Sequence, residues 1–66
     1  MQVEVNGKPR QLEDGMSLGQ LVSRSVQRAD GVAVAVNRAV VPRSRWDLHL
    51  LHAGDRIEII QAVGGG

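Results

Sequence analysis

Sixty-six residues without a cysteine and with a net charge of +1 make one small domain held by its own aliphatic core. A chain of this size buries only ~60% of the surface its unfolded form exposes, and no disulfide or thiolate-bound metal can reinforce it. Eight Lys or Arg against seven Asp or Glu are interspersed, and Trp46 is the one aromatic. That excludes the basic stripe and the stacking platform of a nucleic-acid binder.

Taken in order, Val3 and Val5 alternate with Gln2, Glu4 and Asn6, the period of a half-buried strand. Asn6 and Gly7 form the strongest hairpin dipeptide, because both tolerate positive φ. Residues 9–12 return as a second strand, with Pro9 suited to its first position or to a sheet edge. Asp14 and Gly15 close that segment. Ser17 and Gln20 then fit a capping box, and Leu18, Leu21, Val22 and Val26 make one apolar stripe. These predict a helix over about residues 18–28, with Gly31 adopting the left-handed C-terminal conformation and Gly19 weakening the first turn by roughly 1 kcal/mol relative to Ala.

Residues 32–36 alternate Val and Ala and read as a third strand, valines toward the helix and alanines forming a smooth opposite face. Asn37 and Arg38 turn the chain into a short strand over residues 39–41 that Pro42 ends. Residues 43–52 read as irregular, with a helical turn near Trp46, which plugs the core or caps the sheet edge. His52 to Asp55 form a tight turn, and residues 56–63 are the last strand. Ile57 and Ile59 share one of its faces, Glu58 and Ile60 the other. The order β-β-α-β-β-β, with one helix covering one face of a mixed sheet, is an economical two-layer α+β solution for so short a chain.

Few side chains offer chemistry. His49 and His52 lack a Cys or a paired carboxylate to complete a metal set and read as surface loop residues; no metal site is expected. Ser17 is explained by capping, and Ser23, Ser25 and Ser44 lie in no nucleophile motif. Arg43 and Arg45 flank Ser44 as a solvated loop, or as contacts to a phosphate or acidic partner. A chain this short has little room for a water-excluding pocket, so autonomous catalysis is not expected. Ile60 falls on the face away from the helix, beside Ala33 or Ala35 if the last strand is central. With Ala62 and Val63 it is read as a partner-binding surface.

The remaining feature is Gly64, Gly65 and Gly66 after the last strand. Glycine adds nothing to a core and costs entropy to order, yet it permits close approach to another surface. The tail alone leaves two readings open: a slim arm presenting the Gly66 carboxylate, or a frayed end.

The chain resembles the ThiS family of sulfur carrier proteins, small ubiquitin-like β-grasp proteins of thiamin biosynthesis. The resemblance rests on Val5-Asn6-Gly7, Asp14-Gly15 and the run from Val34 to Arg38. It continues through the run from Val40 to Ser44, Leu51, the run from Gly54 to Ile59, and the terminal glycines. It implies a ubiquitin-like β-grasp domain over residues 1–63, with a mixed four- to five-stranded sheet and one main helix, and a flexible tail over 64–66. It also implies a carrier without an active site of its own. In this scheme Gly66 is the covalent carrier site, first a glycyl adenylate and then a thiocarboxylate (1-thioglycine), and Gly64 and Gly65 are the leash entering partner active sites.

The implied partners are an E1-like adenylyltransferase of the ThiF type, using ATP and Mg, and a thiazole synthase of the ThiG type. A persulfide donor such as a cysteine desulfurase would supply the sulfur. No cofactor is expected on the carrier itself, which would be monomeric when free. The absence of any long apolar segment or signal-peptide core leads to the expectation of a cytoplasmic protein without a membrane partner. Sulfur carriage toward molybdopterin, cysteine or another metabolite, a ubiquitin-like protein modifier and a plain interaction domain remain as alternatives. Three glycines after Val63, where many relatives have two after Ala, could shift which glycine lines a channel mouth.

Overall fold

In the computed structural model, which describes residues 1–62, the alternating pattern of the first residues becomes a hairpin. Strand β1 (Gln2–Val5) buries Val3 and Val5, and β2 (Lys8–Gln11) pairs with it antiparallel. Asn6 and Gly7 both have positive φ, 51° and 81°, the two-residue hairpin turn whose twist matches that of the strands. Pro9 lies in β2 at the sheet edge, where its missing N–H is best tolerated.

Helix α1 (Leu18–Ser25) begins as its sequence directs. The Gln20 N–H donates to Ser17 Oγ (3.2 Å) and the Ser17 N–H to Gln20 Oε1 (2.9 Å), which closes the capping box. Leu18, Gly19, Leu21 and Val22 are buried. The helix is shorter than the expected 18–28. It stops at Ser25 because Val26 takes an extended conformation (φ −132°, ψ 150°), and the segment after it lays Val26 and Ala29 against the core. Gly31 does have positive φ (73°), but it serves the turn into β3 rather than the helix end.

Strands β3 (Val32–Val36) and β4 (Ala39–Val40) form a second hairpin around Asn37 and Arg38, whose φ values are 51° and 71°. The residues expected to be irregular contain a 3₁₀ helix, Arg43–Leu48. Trp46 is a core plug: it is buried, and its Nε1 donates to the Val41 carbonyl at 2.8 Å. Gly19 sits where α1 meets this segment, and a Cβ there would overlap the Asp47 carboxylate. The overlap is with the tip of an exposed side chain, so Asp47 would have to turn aside for any larger residue in this first turn.

Strand β5 (Arg56–Gln61) completes a five-stranded mixed sheet of order β2-β1-β5-β3-β4, parallel to β1 and antiparallel to β3. The helix and the 3₁₀ segment cover one face, over a core centred on Leu18, Leu21, Val34 and Ile57. The expected α+β class and element order are both found. The last strand ends at Gln61, short of the expected 56–63: Ala62 is already outside it, its N–H bonded to the Gly31 carbonyl of the turn before β3. Val63 and the tail 64–66 lie outside the described residues. No helix of the described residues is long and apolar enough to cross a membrane.

The buried indole bond makes a measurable prediction. Trp46→Phe leaves the Val41 carbonyl without its donor and should cost about 1–3 kcal/mol. It would appear as a lower urea midpoint at unchanged slope; an unaltered midpoint would remove this bond from the account of stability.

Candidate functional site

The site is built on β5, because that strand leads into the glycines. Its residues alternate as the sequence implies: Ile57 is buried, Ile59 half-buried, and Glu58 and Ile60 exposed. Ile60 is 61% exposed on the face opposite the helix and stands directly across from Ala33 on β3, one of the two neighbours expected for it. Ala33 is exposed and Ala35 half-buried, so the alanines do form a low surface beside it. Ala62 is exposed just past the strand, its N–H donating to the Gly31 carbonyl (2.8 Å). Val63, Gly64, Gly65 and Gly66 lie outside the described residues.

One contributor was not singled out from the sequence. Val40 on β4 pairs with Ala35 and is 76% exposed. The signal was present: a two-residue turn at Asn37 and Arg38 fixes the register, and side chains paired across strands share a face. The apolar surface therefore runs from Val40 at the sheet edge through Ala35 and Ala33 to Ile60. Glu58, across from Ala35, and the exposed pair Arg56–Glu4 (3.8 Å) form its polar side. An apolar centre with a charged rim is the composition of a protein-docking patch. A shallow cleft of about 680 Å³ opens among Glu4, Asn37, Arg38, Arg56 and Glu58; its lining mixes both charge signs and holds no nucleophile.

Two asparagines hold β5 from opposite sides. The Asn37 N–H donates to the Arg56 carbonyl (2.7 Å), its Oδ1 accepts from the Arg56 N–H (3.0 Å), and its Nδ2 donates to Asp55 Oδ1 (3.0 Å). Asp55 Oδ2 in turn accepts from the His52 N–H (2.8 Å). Asn6 makes a corresponding set of bonds to Ile57 and Ile59. The αL turns thus serve the entry and the middle of β5 as well as their own hairpins.

The other chemistry-bearing residues have structural settings. The half-buried His49 ends the 3₁₀ helix, its N–H donating to the Arg45 carbonyl (3.0 Å), while its carbonyl accepts from the Leu18 N–H (2.8 Å). His52 is exposed. Arg43 reaches Asp30 at 3.4 Å with both side chains exposed, a type of pair worth little. Among the described residues no group of three or more His, Cys, Asp or Glu is placed to hold a metal ion.

The sequence model of the ThiS family matches residues 3–66. The chain is 35% identical over 66 residues to the sulfur carrier protein ThiS of Escherichia coli (strain K12), covering all of both proteins. It is also 35% identical over its whole length to a thiazole synthase of Magnetococcus marinus, of which it spans 20%. Among solved structures it superposes on the thiamine biosynthesis protein ThiS of Geobacter metallireducens with a TM-score of 0.84 and 32% identity, each chain fully covered.

Proposed function

The chain belongs to the ThiS family and has its ubiquitin-like β-grasp fold, and from that membership we propose that it carries sulfur for thiamine biosynthesis on the carboxylate of Gly66. The observation that carries the reading is a family match running through residue 66, which takes in all three glycines. The open sheet face supports it by offering an apolar docking patch on the strand that leads to them.

The carrier's part in the chemistry is to present one group. An α-carboxyl ordinarily titrates near pH ~3.5, so at neutral pH the Gly66 carboxylate is an anionic nucleophile for the α-phosphorus of ATP held by an adenylating enzyme. Pyrophosphate leaves and an acyl-adenylate remains. The terminal sulfur of a donor persulfide then attacks the acyl carbon and AMP leaves. A thiol reduces the acyl persulfide, giving the thiocarboxylate and a disulfide. In a thiazole synthase the sulfur passes to a carbonyl acceptor, an oxygen from that acceptor or from water takes its place on the acyl carbon, and the carboxylate is returned. Gly64 and Gly65, lacking side chains, let the terminus enter a narrow channel. Ile60 and its neighbours dock the folded body, with Ala62 and Val63 continuing that surface toward the tail. The carrier itself needs no active site.

Incubation of the full chain with its adenylating enzyme, ATP, magnesium and a persulfide donor should replace one oxygen by sulfur in the intact mass. An unchanged mass beside a competent control carrier would refute the proposal. Restoration of growth of a deletion strain by thiamine alone would identify the pathway, whereas rescue by molybdopterin or cysteine would reassign it.

A further inference from the structure

The surroundings of β5 change along its length. At Arg56 and Ile57 it is flanked on both sides, by Glu4 and Val5 of β1 on one and by Asn37 and Val36 of β3 and its turn on the other. Then β1 turns away at Asn6 and Gly7 into β2. On the flank it vacates, the side chain of Asn6 replaces the missing strand. The Ile59 N–H donates to Asn6 Oδ1 at 2.8 Å, and Asn6 Nδ2 donates to the Ile59 carbonyl at 3.2 Å. The Asn6 main-chain N–H donates to the Ile57 carbonyl at 2.9 Å. A carboxamide has the acceptor and donors of a peptide group, so it continues the ladder by one rung. Past Ile59, the pairings of β5 among the described residues are all to the other side: Ile60 with Ala33, Gln61 with Val32, and Ala62 with Gly31.

We propose that Asn6 is a positioning residue for sulfur transfer, its carboxamide being the last fixed point on that flank of β5 and so setting the direction in which the chain leaves toward Gly66. The inference rests on the sulfur-carrier reading. Past Ile59 the described residues 60–62 are held on the β3 side alone. The seven residues 60–66 span at most about 25 Å, and any freedom of β5 to swing on its open flank is magnified over that length. Fewer docked carriers then hold the carboxylate where the partner's chemistry needs it, and misplacement by about 1 Å can cost 10²-fold in rate. The clamp is separate from the docking patch: Asn6 acts through the backbone of β5, whereas Ile60 and Val40 meet the partner with side chains.

The local conformation supplies a clean test. Asn6 has φ 51°, which glycine adopts without strain, so Asn6→Gly keeps the turn and removes only the amide. Asn6→Asp retains the acceptor for the Ile59 N–H but sets a carboxylate against the Ile59 carbonyl. Using full-length variants with the adenylating enzyme, ATP and a persulfide donor, one measures kcat and KM for thiocarboxylate formation, carrier affinity for the enzyme, and exchange of the Ile59 amide hydrogen. Asn6→Gly should lose protection at Ile59, whereas Asn6→Asp, which keeps that acceptor, should lose only the bond to the Ile59 carbonyl. Both should lose about 10-fold in kcat, with KM and affinity within about 2-fold of the parent. Unchanged kcat would overturn the inference, and so would a loss tracking an equal loss of affinity or a general fall in stability. If the unsubstituted chain is not thiocarboxylated either, the sulfur-carrier reading fails and the inference falls with it; parent activity combined with unimpaired variants removes the inference alone.

Discussion

A chain lacking Gly65 and Gly66 is expected to accept no detectable sulfur from a competent adenylating enzyme and donor, while unfolding at the same urea concentration as the full chain. The two halves of this result have separate physical causes. The buried residues of the described core lie between Val3 and Ile57, and glycine has no side chain to bury, so the deletion should change stability by less than about 0.5 kcal/mol. The shortened chain still ends in a carboxylate, but one withdrawn by about 7 Å, far more than in-line attack on a bound phosphate tolerates. Thiocarboxylate formation read by intact mass, beside a urea titration, checks both halves. Marked unfolding would mean the glycines belong to the fold; undiminished transfer would mean Gly66 is not the carrier group.

Ile60→Asp should weaken association with the adenylating enzyme by at least 10-fold, equivalent to about 1.4 kcal/mol, and leave the domain folded. Ile60 is 61% exposed and stands across from Ala33. An added carboxylate would be solvated in the free carrier but desolvated beneath a partner, and an uncompensated buried charge is expensive. It would also join Glu58 on the same face of the same strand. Val40→Asp, at 76% exposure on the neighbouring edge, should act in the same direction, because the patch is continuous across β4, β3 and β5. Binding isotherms paired with urea midpoints separate the outcomes. A collapse in stability would assign Ile60 to the core, and unchanged affinity for both variants would place docking on another surface.

Much of the architecture was legible because its causes are local. Ser17 and Gln20 announce a helix start whose bonds close within one turn, and Asn6-Gly7 specifies a tight hairpin from two adjacent residues. The alternation in residues 32–36 and 56–60 assigned each side chain to a face, which located Ile60 correctly. The helix end was misjudged for an equally physical reason. Asp30 and Gly31 are strong stop signals, but Val26 leaves the helix early and the following segment packs Val26 and Ala29 against the core. No local residue reports that demand. Gly19 likewise looks like a weak point until Asp47 of a distant segment is seen against it.

The sequence by itself determined the element order, the two faces of β1, β3 and β5, the glycine tail and, through motifs spread along the chain, the family. Hydrophobic period, capping and turn chemistry act between residues a few positions apart, so a single chain displays them. Only the tertiary structure decided that β5 is central and parallel to β1. The same is true of Val40 joining Ile60 through the alanines, and of Asn6 closing hydrogen bonds on Ile59 across 53 positions. Those arrangements depend on which strand lies beside which, and that is settled by how the whole chain buries its apolar surface and pairs its backbone at once.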